Sequence, residues 1–323
     1  MAHHALVITV TPAPAIDRTY RVGELHLGEV HRAGRATAEF AGKGVNVTEA
    51  LILSGVPSLA IVPLSQRDTA QWADHAALRG SPAEGDVRVN ITVLEPDGRT
   101  TKINETPASL RTEEWEALSE LALSELRNNC SPWLLIAGTI PANVSGTPDA
   151  LASLMIAAAA TGAQIALDTS GPALLQTARA GLPDFIKPNA AELAECVERP
   201  ILSIGDVIDA GHEIVRWGVS SVMVSLGPDG IVGVDGSGAI HAWTAPLEVR
   251  NTIGAGDASV AGFLAHQIAH PGDLVGAIPK AVAWGAQKVQ QEGSQLQHLN
   301  SLPDVTVTDA PDRSLILMEP GRF

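Results

Sequence analysis

Asn251-Thr252-Ile253-Gly254-Ala255-Gly256-Asp257 runs without a break into the apolar stretch Ala258–His270. Glycines that lead into a helix leave backbone N–H groups pointing outward at the positive end of the helix dipole, a ready site for phosphate oxygens. Asp257 then falls in the first helical turn, beside that anion hole. A carboxylate so placed can take the proton of a hydroxyl as the hydroxyl attacks phosphorus, the part the base plays in phosphoryl transfer. In a chain this rich in Gly and Ala the same four residues also make an ordinary tight turn with an acidic cap, so the fold has to be read from what flanks them.

Upstream of this stretch, short apolar runs alternate with helical segments, the pattern that predicts βαβ units and a mainly parallel sheet. Strands are expected at Ala5–Val10, Leu59–Pro63, Trp133–Gly138, Gln164–Asp168 and Ser221–Ser225, each apolar enough to be covered on both faces. Helices are expected at Asn46–Ser54, Thr112–Asn128, Pro148–Thr161 with Thr147 as its cap, Gly205–Trp217, Asp257–His270 and Asp273–Glu292. Two segments break the rhythm. Ile16–Phe40 and Val87–Asn104 alternate apolar and polar side chains, the period of half-exposed antiparallel strands, and Asp97-Gly98 marks a hairpin in the second. A one-faced sheet inserted into an α/β core needs something to cover, and a substrate is a suitable object. The division that follows is an α/β core from residues 1–12, 41–84 and 108–323, with a β-sheet lid from 13–40 and 85–107.

Composition bounds the chemistry. The 323 residues carry 21 Lys+Arg against 36 Asp+Glu, a formal charge of −15, which argues against nucleic-acid or anionic-membrane surfaces. The 45% apolar fraction supports a large core, and only 3% is aromatic, so that core is built from small aliphatic side chains. Cys130 and Cys196 form no metal-binding or disulfide pattern. No run of about 18 apolar residues and no basic export leader is present, which together point to a cytoplasmic protein.

A second Gly-rich helix entry, Ala41-Gly42-Lys43-Gly44-Val45-Asn46-Val47, adds a cation and an amide able to hold sugar hydroxyls or an anion. It lacks the spacing of a Walker A loop, and the Gly254-x-Gly256-x-x-Ser259 run lacks the third glycine of a dinucleotide fingerprint. With these elements in place, the chain resembles the PfkB (ribokinase-like) carbohydrate kinases, and within them the 1-phosphofructokinase and tagatose-6-phosphate kinase branch. Thr11-Pro12-Ala13-Pro14-Ala15-Ile16-Asp17 is similar to the start T-x-N-P-A-x-D, and Leu27–Arg32 to the L-x-x-G-E-V-x-R segment. Gly42–Asn46 resembles the signature G-G-K-G-x-N. Arg88–Ile91, Thr101–Glu105, Ala137–Pro141, Asp168–Gly171, Lys187–Glu192, Ser225–Gly230 and Gly254–Asp257 follow in the family's order.

The resemblance implies a three-layer ribokinase-like sandwich with a small β-sheet lid, and ATP- and Mg²⁺-dependent phosphorylation of a phosphosugar. Fructose 1-phosphate giving the bisphosphate comes first, tagatose 6-phosphate or fructose 6-phosphate next. It implies Asp257 as general base with the Gly254, Ala255 and Gly256 amides as anion hole. Asp17 and Asn46 would hold sugar hydroxyls, Gly42 and Thr139 would line the sugar, and Lys43, Arg88 and Lys102 would meet its phosphate. Lys187, Ser225, Gly227, Gly230 and Asn189 would line the nucleotide, with Asn189 and Glu192 holding Mg²⁺ through water. The lid would also join two copies in a homodimer. The chain departs from the family pattern at Ala13, Ala41 and Ala108. A different class, a catalytically silent sugar-phosphate-binding regulator, is distinguished by the absence of ADP release. An independent charge argument supports substrate sites here: of five lysines, Lys43, Lys102 and Lys187 fall inside these elements, as an acidic protein that binds polyanions requires.

Overall fold

The computed structural model describes residues 6–97, 99–129, 132–141 and 148–322. Its centre is a ten-stranded sheet ordered Val305–Thr308, Ala239–Thr244, Ile231–Asp235, Ser221–Ser225, Phe185–Ile186, Gln164–Asp168, Trp133–Ala137, Val7–Val10, Ser58–Leu64, Leu78–Pro82. From Ser221–Ser225 to Leu78–Pro82 every pairing is parallel. The other three strands extend that sheet by antiparallel pairing. The expected strands all form within a residue or two of their predicted ends, because each is apolar on both faces. Trp133, Leu135 and Ala137 point into one cluster, Leu134 and Ile136 into the other.

Helices cover both faces, which makes three layers. Lys43–Leu53, Ala255–Ala269 and Leu274–Val289 pack on one side. On the other lie Thr112–Asn129, Pro148–Ala159, Gly171–Arg179, Ala190–Val197 and Ile204–Trp217. The first helix starts at Lys43, three residues before the expected Asn46, because the chain turns directly out of Gly42. The last ends at Val289, short of Glu292, which lies beyond the helix and pairs with Arg21. Thr147, the expected cap of the Pro148–Ala159 helix, lies outside the described residues.

The alternating segments form a separate four-stranded sheet ordered Thr37–Ala41, Ala15–Arg21, Arg88–Leu94, Thr100–Asn104. Its outer pairs are antiparallel, including the hairpin Arg88–Leu94/Thr100–Asn104, whose Gly98 lies outside the described residues. The central pair, Ala15–Arg21 with Arg88–Leu94, is parallel. That corrects the expectation of antiparallel strands throughout: period-two alternation reports a half-covered face and carries no information on strand direction. The expected Ile16–Phe40 strand is also divided, with 22–36 forming no strand between its two parts. Register places Asp17, Asn90 and Asn104 abreast on one face with Glu39. Ile16, Val89, Ile91 and Ile103 occupy the opposite face.

Candidate active site

Gly254 caps the Ala255–Ala269 helix in the left-handed region (φ +78°), and a Cβ there would sit 1.9 Å from the Ser294 carbonyl oxygen. Only glycine fits so close an approach. Asn251 shapes the turn from both ends: its Oδ1 accepts from the Ile253 N–H at 3.0 Å, and its Nδ2 donates to the Gly293 carbonyl at 2.5 Å. The Ala255 N–H leans back toward the Thr252 carbonyl at 3.3 Å. Among the described residues the N–H groups of Gly254, Gly256 and Asp257 donate to no protein acceptor. An anion at the positive end of this helix therefore meets three free donors, of which the Asp257 amide was not singled out from the sequence.

Asp257 is buried, 7% exposed, and its Oδ2 accepts a 2.8 Å hydrogen bond from Asn46 Nδ2. Asn46 reaches it from the Lys43–Leu53 helix, and its own Oδ1 is buried without a partner, an acceptor free for a substrate hydroxyl. Burial, then the nearby Asp168 carboxylate, pushes the Asp257 carboxyl up to about 6 against the opposing pull of Asn46, Lys43 and Lys187. A carboxylate poised there is largely ionised at neutral pH and still basic enough to accept a proton.

Asp168 had no role assigned from the sequence, although it ends a parallel strand, where open α/β sheets place ligand-binding residues. It is fully buried, with Lys43 Nζ at 2.9 Å and Lys187 Nζ at 3.5 Å from Oδ1. Burial raises its pKa, but Lys187 and Lys43 together outweigh that and hold it below the usual range. The ion pair in turn outweighs burial at Lys43 and keeps it above the ordinary lysine value. Asp168 thus joins the two helix-entry and strand-end lysines into one rigid unit beside Asp257. Lys187 also passes 3.5 Å from a Cβ position at Gly256, so its ammonium borders the anion hole.

On the sugar side, Asp17 Oδ1 accepts from Asn90 Nδ2 at 3.0 Å across the central pair of the small sheet. Arg88 donates to the Glu105 carbonyl at 3.1 Å and reaches the Ala13 carbonyl at 3.5 Å, while its Nε is buried without a partner. Ala13 is itself buried there, so a methyl group stands where the family pattern has an amide. Lys102 stands opposite Thr92 on the same face as Asp17 and Asn90, exposed and with no hydrogen bond or ion pair among the described residues, and Thr139 is exposed two residues beyond its strand.

On the nucleotide side, Asn189 and Ser225 lie side by side through an isolated parallel bridge, and Ser225 N–H donates to the Pro188 carbonyl at 3.0 Å. Gly227 and Gly230 turn the chain between two antiparallel strands; a Cβ at Gly230 would meet the Ala242 carbonyl at 2.1 Å. Asn189 and Glu192 form a capping box: Asn189 Oδ1 accepts from the Glu192 N–H, and Glu192 Oε2 from the Asn189 N–H, both at 2.9 Å.

The chain is 32% identical over 264 residues to 1-phosphofructokinase of Rhodobacter capsulatus, covering 80% of this chain and 82% of that protein. It is 31% identical over 268 residues to the 1-phosphofructokinase of Xanthomonas campestris, covering 80% and 83%. The crystal structure of phosphofructokinase-2 from Escherichia coli in complex with potassium superposes with a TM-score of 0.83 at 28% identity, over 92% of this chain and 96% of that one. The fold is therefore that of these ribokinase-like kinases. The model of the "pfkB family carbohydrate kinase" matches residues 7–300, and the chain accordingly belongs to this family and is a carbohydrate kinase.

Proposed function

We propose that the protein transfers the terminal phosphoryl group of ATP to a free hydroxyl of a phosphosugar, with fructose 1-phosphate as the acceptor and fructose 1,6-bisphosphate as the product. The observation that carries this reading is the Asn46–Asp257 hydrogen bond, which aims a buried carboxylate from beneath three unengaged amides. The relatives named 1-phosphofructokinase support the choice of sugar, and Arg88 supports an acceptor that already bears a phosphate.

In mechanism, Asp257 accepts the proton of the sugar hydroxyl while that oxygen bonds to phosphorus and the bond to the departing ADP oxygen breaks. The Gly254, Gly256 and Asp257 amides, with Lys187 and Lys43 alongside, stabilise the charge on the equatorial oxygens. Asp17 and Asn90 orient the sugar from the small sheet, which acts as a lid that excludes water and limits idle hydrolysis of ATP. No group of three His, Cys, Asp or Glu side chains among the described residues could cage a metal alone. The side-chain oxygens of Asn189 and Glu192 are hard donors of the kind Mg²⁺ takes alongside waters and phosphate oxygens. Bound with the nucleotide, Mg²⁺ would neutralise the phosphates, and Glu192 and Asn189 would hold its waters.

The far end of the small sheet's apolar face supports a homodimer built through it: Ile16 and Val89 pack on the core, but Ile103 is 60% exposed and Ile91 beside it is only half-buried. ATP and phosphosugars are made in the cytoplasm, which supports work in that compartment; no helix among the described residues is long and apolar enough to cross a membrane. A coupled assay of ADP release with fructose 1-phosphate, fructose 6-phosphate, tagatose 6-phosphate and ribose tests the reading. The highest kcat/KM is expected for fructose 1-phosphate. Phosphosugar binding without ADP release from any of the four would replace the kinase by a binding-only regulator.

A further inference from the structure

Lys288 lies one residue before the end of the Leu274–Val289 helix and is completely buried, with an Nζ that has no hydrogen-bond partner. A buried ammonium without a partner is costly, and it persists where some other use offsets that cost. Its stem comes to rest behind the anion hole: Lys288 Cε is 3.5 Å from a Cβ position at Gly254. The helix can bring it there because it packs unusually close to the Ala255–Ala269 helix. At Gly285 an added Cβ would lie 2.3 Å from Ser259 Oγ, and at Gly262 one would lie 2.8 Å from the Lys280 carbonyl.

The charged groups that face Lys288 are Glu39, from the small sheet, and Asp257, from the helix beginning at the turn. Neither makes an ion pair with it. Glu39 is engaged elsewhere, accepting from the Ser294 N–H at 3.3 Å and the Ser294 hydroxyl at 3.1 Å. Glu292, close by in sequence, pairs outward with Arg21. The ammonium is therefore held by packing, its field directed at the turn on one side and at the lid's carboxylate on the other.

We propose that Lys288 is a positioning residue for phosphoryl transfer: its buried ammonium makes the Gly254–Asp257 anion hole electropositive from behind and couples that hole to Glu39 of the lid. The proposal rests on the kinase reading, for it assigns the field to that reaction. Burial lowers the Lys288 pKa to about 8, with Glu39 and Asp257 pulling the other way. The charge behind the hole is then present below about pH 8 and lost as pH rises through that value. Bound nucleotide phosphates facing the same turn favour the charged form, so the limb moves to higher pH in the complex.

The test is the pH dependence of ADP release in the wild type and Lys288→Met, which removes the charge and keeps the stem. The wild type is expected to lose kcat/KM above about pH 8, with the corresponding limb of kcat displaced upward. Lys288→Met is expected to lack that limb, to lose about tenfold or more in kcat at pH 7 by the scale of other lost anion-hole groups, and to show its acidic limb, set by Asp257, at higher pH. An alkaline limb unchanged in Lys288→Met, or kcat within about twofold of wild type, would overturn the proposal. Where Lys288→Met shows no cooperative melt, Glu39→Gln decides: removing the carboxylate that favours the ammonium must move the alkaline limb to lower pH, and an unmoved limb overturns the proposal. ATP binding followed by calorimetry across pH 6.5–9.5 reads the same protonation without turnover. A wild type that binds ATP with this pH dependence but releases no ADP defeats the kinase reading, and one whose ATP affinity ignores pH defeats the role of Lys288.

Discussion

Asp257 is a carboxylate whose surroundings oppose its own charge. Burial and Asp168 raise its pKa to about 6, so the folded protein binds this proton more tightly than the unfolded chain does, near 3.8. Its contribution to stability is therefore intact below about pH 4 and declines as pH rises through about 6. Replacing it with Asn keeps an acceptor for Asn46 and removes the buried charge. Asp257→Asn should lower kcat by about 10²–10⁴-fold while raising stability at pH 8, by up to about 2–3 kcal/mol. Steady-state kinetics and urea unfolding at pH 5 and pH 8 check both parts, and a gain in stability that is the same at the two pH values would contradict the assignment. Asp257 was legible from the sequence because its signal is local, two glycines before a helix. Asp168 and Lys288 were not, because their roles arise from strand order and helix contact. Lys102 lies in a family-like segment and is exposed on the same face of the small sheet as Asn90, and Lys288 is a lysine beside the turn that no local pattern marked.

The Gly254 turn is where element geometry sets chemistry. The helix start, the Asn251 cross-links and the Ser294 carbonyl together leave room for no side chain. Gly254→Ala should displace the turn or the 293–295 segment, costing about 1–3 kcal/mol of stability and most of kcat even at saturating substrate. Thermal melting and kcat measured on the same preparation check this, and near-normal kcat would show that the amides are not the anion hole. The longer helices and most of the buried parallel strands were readable because their periodicity and length are local properties, whereas the helices Gly171–Arg179 and Ala190–Val197 and the strands Leu78–Pro82 and Phe185–Ile186 are too short to carry such a signal. The strands Ile231–Asp235, Ala239–Thr244 and Val305–Thr308 escaped too: all are short, a glycine interrupts the first, and the other two are mixed in polarity, so their partners make them strands.

At the scale of the whole molecule, the small sheet is tied to the core by contacts far apart in sequence. Arg21 pairs with Glu292, Glu39 with Ser294, and Gln295 Nε2 donates to the Phe40 carbonyl at 2.9 Å. On its apolar face Ile103 is 60% exposed. Ile103→Asp should shift the protein to monomer in sedimentation and raise KM for the phosphosugar more than for ATP; an unchanged mass would place any dimer contact elsewhere. The parallel pairing of Ala15–Arg21 with Arg88–Leu94 also constrains assembly. Asp17 meets a partner 73 residues later in the chain, after Ser58–Leu64 and Leu78–Pro82 have been laid down. Closing so long a loop is slow relative to local helix formation. During refolding, then, ellipticity should recover first and the grip on phosphosugar last.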